Sequence, residues 1–148
     1  MSERNVTHAT FAVERSYAVP PVRVFAAWAD PVAKSRWFGG GDDRQHELDF
    51  RVGGREVSTG TVDGTVFTYE GRYQDIVPNE RIVYAYDMHM GEARISVSLA
   101  TVELTPDGEG TTLVFTEQGA FLDGLDDPSQ RENGTGTLLD ALGKELER

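Results

Sequence analysis

Residues 46–77 read HELDFRVGGREVSTGTVDGTVFTYEGRYQDIV, and this stretch decides the fold. His46 to Val52, Arg55 to Val62 and Val66 to Val77 read as strands, separated by Gly53-Gly54 and Asp63-Gly64. Asp-Gly is the preferred chemistry of a two-residue hairpin turn, whose central positions need positive φ. The pattern continues through Ile82 to Met90 after the Pro78-Asn79 turn, Arg94 to Leu104 after Gly91, and Thr111 to Gln118 after Pro106 to Gly110. Consecutive strands joined by such short connections form an antiparallel meander.

Working outward, Phe11, Val13, Arg15 and Tyr17 alternate with Ala12, Glu14, Ser16 and Ala18, the period of a strand. Pro20-Pro21 stops it and starts a helix, where a missing N–H does no harm. Val22 to Ala29 is apolar almost all round, which predicts burial on several sides. Asp30-Pro31 caps a second short helix that runs to about Phe38, and Gly39-Gly40-Gly41 opens a loop through Asp42 and Asp43. At the other end, Gly119 to Asp127 reads as an acidic loop and Asp127-Pro128 as a helix start. Leu138, Leu139, Leu142 and Leu146 give one apolar helical face. Gly134 and Gly136 are costly inside a helix, so this helix is expected to be irregular early and firm after Thr137. The chain is therefore read as α+β: one domain over residues 1–148 with its core at about 11–147, a curved antiparallel sheet around a C-terminal helix. A sheet curled around one helix leaves a space between them, and an apolar space can hold a small molecule.

Composition narrows the function classes. The formal net charge of −11 disfavours nucleic acid and anionic membranes, because both are bound mainly through Lys and Arg. This acidity is read as solubility. The lack of cysteine removes disulfides, thiolate metal sites and cysteine nucleophiles. No apolar run approaches the length of a bilayer span, so a transmembrane helix is excluded. MSERNVTHATF is polar where a signal peptide needs an apolar stretch, which makes a cytoplasmic location the expectation.

Several segments resemble the START-like, or SRPBCC, superfamily of helix-grip (Bet v-like) folds, and within it the family named after the activator of the heat-shock-protein-90 ATPase (AHSA-like). They are Glu14-Arg15-Ser16-Tyr17, Val24-Phe25-Ala26-Ala27-Trp28 with Asp30-Pro31, Trp37-Phe38-Gly39, the run Gly71 to Tyr84, Gly110 to Glu117, and Leu139-Asp140-Ala141-Leu142. The resemblance implies a sheet of six to seven strands, two short helices after the first strand, a long closing helix and a ligand-sized cavity. The family pattern carries Gly-Trp at the start of the closing-helix motif, whereas here Thr135 follows Gly134. A threonine there enlarges the cavity or alters its mouth unless Phe121 fills the gap.

Candidate site residues follow from strand alternation. Tyr84, Tyr86, Met88 and Met90 share one face, suited to a flat apolar ligand or to a filled core. Tyr69 alternates with the solvent-facing Thr68 and Glu70, and Trp28, Trp37 and Phe38 sit where the short helices close one end of the groove. Phe115, Phe121, Leu138 and Leu142 complete the apolar set. Arg15 and Glu117 each lie on an otherwise apolar strand face, and an inward charge must be paired. A pair between Arg15 and an acid is either structural or ligand-orienting. Asp87 and His89 point the same way, but away from the tyrosines. His8, His46 and His89 lack metal-ligand spacing. With no nucleophile elbow, phosphate loop or dinucleotide fingerprint, no catalytic residue, metal or cofactor is assigned.

Three functions stay open. The first is binding of a small lipophilic or aromatic molecule. The second is a cyclase or dehydratase using pocket tyrosines with Arg15 and Glu117 on an aromatic or polyketide-like substrate. The third is a co-chaperone-like interaction module with a protein partner. A homodimer is compatible with each.

Overall fold

A computed structural model describes residues 4–148; Met1 to Glu3, part of the polar N-terminal stretch, lie outside the described residues. The elements are β1 (Val6–Tyr17), α1 (Pro21–Ala29), α2 (Pro31–Trp37), β2 (Asp42–Leu48), β3 (Arg55–Val62), β4 (Thr65–Val77), β5 (Arg81–Met90), β6 (Ala93–Asp107), β7 (Gly110–Leu122) and α3 (Pro128–Glu145). The strands form one antiparallel sheet in the order β1-β7-β6-β5-β4-β3-β2. The first strand thus closes against the last, and the meander runs from there to β2. This is the helix-grip arrangement. Phe11, Val13, Tyr84, Val102, Leu113 and Phe115 of the sheet form a core with Val24 and Trp28 of α1 and Leu139, Leu142 and Leu146 of the closing-helix segment.

Five local expectations are corrected. β1 starts at Val6, and β7 continues through Gly119 to Leu122, because Val6 to Thr10 pair with Gln118 to Leu122 and β6 flanks them on the other side. Backbone pairing overrides the polar reading of both segments. β2 starts at Asp42, inside the expected loop, and ends at Leu48. Among the described residues it pairs with β3 alone, with an irregularity between Asp42 and Gln45, and its charged DDRQHEL sequence suits an edge strand. The chain then turns through Asp49 to Gly54, and a Cβ on Gly54 would stand 2.0 Å from the Asp49 carbonyl oxygen.

α3 is continuous from Pro128, not irregular before Thr137. The Asp127 carboxylate accepts the Ser129 N–H at 2.9 Å and caps the first turn. Its glycines serve packing: a Cβ on Gly136 would lie 2.9 Å from an Arg15 guanidinium nitrogen, and one on Gly143 would touch the Tyr17 ring at 3.4 Å. α1 buries one face only, through Val24, Ala27 and Trp28, while Val22 remains exposed. The surrounding structure covers a single side of this short helix.

Candidate functional site

The strands β4 and β5 place aromatic side chains at alternate positions on the concave face. Gly71 pairs with Tyr86, Tyr69 with Met88, and Tyr73 with Tyr84. The Tyr69 and Tyr86 rings approach to 4.8 Å. Gly71 makes this possible, because a Cβ there would stand 2.9 Å from the Tyr69 hydroxyl. Tyr69 therefore lies along the sheet and leaves space above it.

That space is a cavity of about 560 Å³ between the sheet and the helices. Its floor includes Phe67, Tyr69, Tyr84, Tyr86, Met88, Ile95 and Phe115. Trp28, Trp37 and Phe38 wall one side, and Gly134, Thr135, Leu138 and Leu139 of α3 form the roof. Trp28 and Trp37 meet edge to face at 4.8 Å, Trp37 and Phe38 at 5.7 Å, and Phe38 and Tyr69 at 5.0 Å. The result is a continuous aromatic wall, of a size in the range of small-molecule sites.

Nine of the candidates read from the sequence line this cavity: Trp28, Trp37, Phe38, Tyr69, Tyr84, Tyr86, Met88, Phe115 and Leu138. Four do not. Leu142 is fully buried in the core. Phe121 lies against the Arg131 guanidinium at 5.3 Å and leaves the space beside Gly134 and Thr135 unfilled. Arg15 points to the outer side of α3, where it donates to Asp140 at 2.8 Å in a half-exposed pair. Glu117 faces inward but sits beneath the lining, bonded to Tyr86. Arg15 and Glu117 thus serve separate pairs.

At the polar end, Glu117 is fully buried and accepts the Tyr86 hydroxyl at 2.8 Å, the Ser98 hydroxyl at 2.6 Å and Arg131 at 3.2 Å. Arg131, which the sequence reading missed, also donates to the Tyr86 hydroxyl at 2.8 Å, to Ser96 at 2.9 Å and to Asp126. Burial, and then the Glu117 charge, push the Tyr86 phenol well up against the opposing Arg131. Tyr86 therefore remains a donor near neutral pH. Burial likewise raises Tyr69 and Tyr84.

Behind the aromatic wall lies a second buried cluster that the sequence reading also missed. The Lys34 ammonium sits 4.2 Å from the Phe38 ring centre and 4.9 Å from that of Trp28. It donates to Glu56 at 2.9 Å, and Glu56 also accepts the Tyr73 hydroxyl at 2.7 Å and meets His46 Nε2 at 2.6 Å. Burial alone would raise the Glu56 carboxyl; the Lys34 charge and the bonds from His46, Tyr73 and Lys34 outweigh it and hold the value below the usual range. Burial pushes the Lys34 ammonium down. Lys34 is a lone cation on a helix face otherwise made of Ala33, Trp37 and Phe38, the same signal that marks Glu117 on its strand. Glu56 alternates with Ser58 and Gly60, so no apolar face marks it.

Asp87 and His89 lie on the convex face, where Asp87 meets Arg94 at 3.1 Å. Among the described residues no group of three or more His, Asp or Glu side chains is placed to hold a metal, and no helix is long and apolar enough to cross a membrane.

Comparison with solved structures places this architecture among known proteins. An uncharacterised protein from Rhizobium leguminosarum is 46% identical, covers 99% of this chain and 99% of its own, and superposes with a TM-score of 0.93. A Rhizobium loti protein is 49% identical over 95% of this chain and 99% of its own, with a TM-score of 0.89. CalU16 from Micromonospora echinospora, 20% identical over 99% of this chain and 86% of its own, shares the fold at a TM-score of 0.67. No curated protein matches. The family model described as Activator of Hsp90 ATPase homolog 1-like protein matches residues 18–147, and the chain belongs to that family, within the START-like superfamily.

Proposed function

We propose that this protein binds a small lipophilic or aromatic molecule in the cavity between the sheet and α3. One observation carries the reading: about 560 Å³ of space walled largely by aromatic and aliphatic side chains, with Asp126 and Arg131 among the few charged groups that border it. Close-packed interiors hold few voids larger than a water molecule, so a space this large favours a ligand over imperfect packing. The aromatic faces offer stacking area to a flat molecule. A thermal-shift titration with flat aromatic compounds tests the reading. At a hundred times its dissociation constant a ligand adds about 2.7 kcal/mol of stability, a rise of roughly 5–10 °C for a domain of this size. Silence across a broad panel of such compounds overturns it.

A second reading is supported by the meeting of Tyr86, Glu117 and Arg131 beside the cavity. If a bound carbonyl takes the Tyr86 proton in place of Glu117, the phenol, with the Arg131 guanidinium on its oxygen, polarises that carbonyl, as a cyclase or dehydratase requires. Turnover of a bound carbonyl compound, lost in Tyr86→Phe while binding persists, would favour the enzyme; binding without turnover favours the carrier.

A further inference from the structure

The two edges of the sheet are built differently. β2 ends it on one side and β1 on the other. An edge strand offers unpaired N–H and C=O groups to any chain that can lie beside it, and charge or irregularity along the strand is the usual protection. β2 has both: Asp42, Asp43, Arg44 and Glu47, and a break in register between Asp42 and Gln45. The first half of β1 has neither. Asn5 to Val13, which read NVTHATFAV, hold no carboxylate, Lys or Arg, and the pairing of β1 with β7 is regular throughout.

The ladder fixes which backbone groups face outward. The Asp123 N–H donates to the Asn5 carbonyl at 2.8 Å, and Asp123 stands opposite Asn5 in the register that sets Val6 against Leu122. Hydrogen-bonded and non-hydrogen-bonded pairs alternate in an antiparallel ladder. Thr7, Ala9, Phe11 and Val13 therefore turn their N–H and C=O groups to β7, whereas Val6, His8, Thr10, Ala12 and Glu14 turn theirs to the edge. Among the described residues no backbone group beyond the strand bonds those of Val6, His8, Thr10 or Ala12, and all four residues are exposed. α3 meets β1 farther along, where Arg15 donates to Asp140 and the Tyr17 hydroxyl to the Leu139 carbonyl. The open stretch ends at the Glu14 carbonyl, which accepts from the Arg15 guanidinium at 3.0 Å.

We propose that a second copy of this chain pairs along this stretch, β1 beside β1 in antiparallel sense, about a twofold axis at Ala9. Arg4 and Glu14 lie at equal distances in sequence from Ala9, so each Arg4 falls opposite the partner's Glu14. The Arg4 side chain is 90% exposed and Glu14 is exposed. His8 then faces the partner's Thr10, and Val6 the partner's Ala12. All of these turn their backbone groups outward, so the pairs exchange N–H···O bonds. An axis between two residues would set outward groups against inward ones. An axis at His8 or Thr10 would keep the bonds but set Arg4 opposite Ala12 or Ser16, without a counter-charge. A basic partner, which the net charge of −11 would otherwise favour, finds no carboxylate between Asn5 and Val13. The pairing uses no residue that lines the cavity, so it stands apart from the binding reading.

Sedimentation equilibrium of the full chain over a range of concentrations tests this, with a reversible dimer expected. In His8→Pro the ring removes an outward N–H and leaves the bonds to β7 in place, so the dimer dissociation constant rises about tenfold or more. Arg4→Glu and Glu14→Arg each set like charges opposite one another at both ends, and each weakens the dimer about fivefold or more at low salt. Mixed in equal amounts, these two variants restore it, because each end of the mixed dimer again joins opposite charges. The charge variants keep the test valid should His8→Pro fail to fold. A monomer at every concentration overturns the proposal and leaves the edge to a partner of another kind. A dimer indifferent to all three substitutions, or one that mixing does not restore, overturns it also.

Discussion

Replacing Lys34 by methionine leaves Glu56 ionised inside the protein without its cationic partner. The Lys34 side chain is 0% exposed and that of Glu56 is 1% exposed, so water screens neither. Removing one member of a buried ion pair costs about 3–5 kcal/mol, a fall in melting temperature of roughly 6–20 °C for a domain of this size. Tyr73 and His46 still bond the carboxylate, which places the expected loss at the lower end. The double variant Lys34→Met/Glu56→Gln regains about 2 kcal/mol, because a neutral amide keeps partners in Tyr73 and His46 without a buried charge. Urea unfolding followed by tryptophan fluorescence reports on the site directly, since the Trp28 and Trp37 rings lie 4.9 and 5.7 Å from the ammonium.

The pH dependence gives an independent check on the same pair. Glu56 is held below its ordinary value of 4.5 in the folded chain, so its contribution is complete above that pH and lost as pH falls through the folded value. In Lys34→Met the burial penalty no longer meets the ammonium's opposition, and the carboxyl value rises. The stability gap between the two proteins is therefore widest near neutral pH and narrows as pH falls towards and below 4.5. A gap under about 1 kcal/mol that does not change with pH would refute the claim that this pair is a buried, coupled charge cluster.

Two further substitutions separate core from cavity. Leu142→Ala removes a fully buried side chain that does not line the cavity, so it should cost about 2–5 kcal/mol in urea unfolding and leave the dissociation constant of an aromatic probe unchanged. Gly134→Phe should do the reverse. A Cβ at Gly134 meets nothing within 4 Å and the residue lines the cavity, so the ring enters the binding space and abolishes probe binding, while stability holds or rises by up to about 1 kcal/mol from helix propensity.

The order of elements was legible because it rests on local signals. Asp63-Gly64 takes positive φ at both positions, as its hairpin turn demands, and Asp30 and Asp127 cap their helices as read. The boundaries of β1 and β7 failed because they are set by partners distant in sequence. Val6 to Thr10 and Gly119 to Leu122 are polar or small and become strand only because each pairs with the other. The early turns of α3 hold through Gly134 and Gly136 because Asp127 caps the start and Arg15 lies where a side chain on Gly136 would be. A local penalty for glycine carries no information about such neighbours.

The same division separates the apolar part of the site from its charges. Alternation along β4 and β5 identifies which aromatics face inward, and all three tyrosines chosen on that basis reach the cavity. A lone charge on an apolar face was also a sound signal, since Glu117 is fully buried and must be paired. Its partner was not legible: Arg131 comes from the first turns of α3, fourteen residues away, and Arg15 goes to Asp140 instead. Lys34 carries the same signal on α2 and finds Glu56 on β3, twenty-two residues away. Periodicity tells that a charge is buried, whereas its counter-charge is fixed only when two elements pack. Under the proposed binding reading this pairing bears on which ligands are admitted, because Asp126 and Glu117 already engage the Arg131 guanidinium.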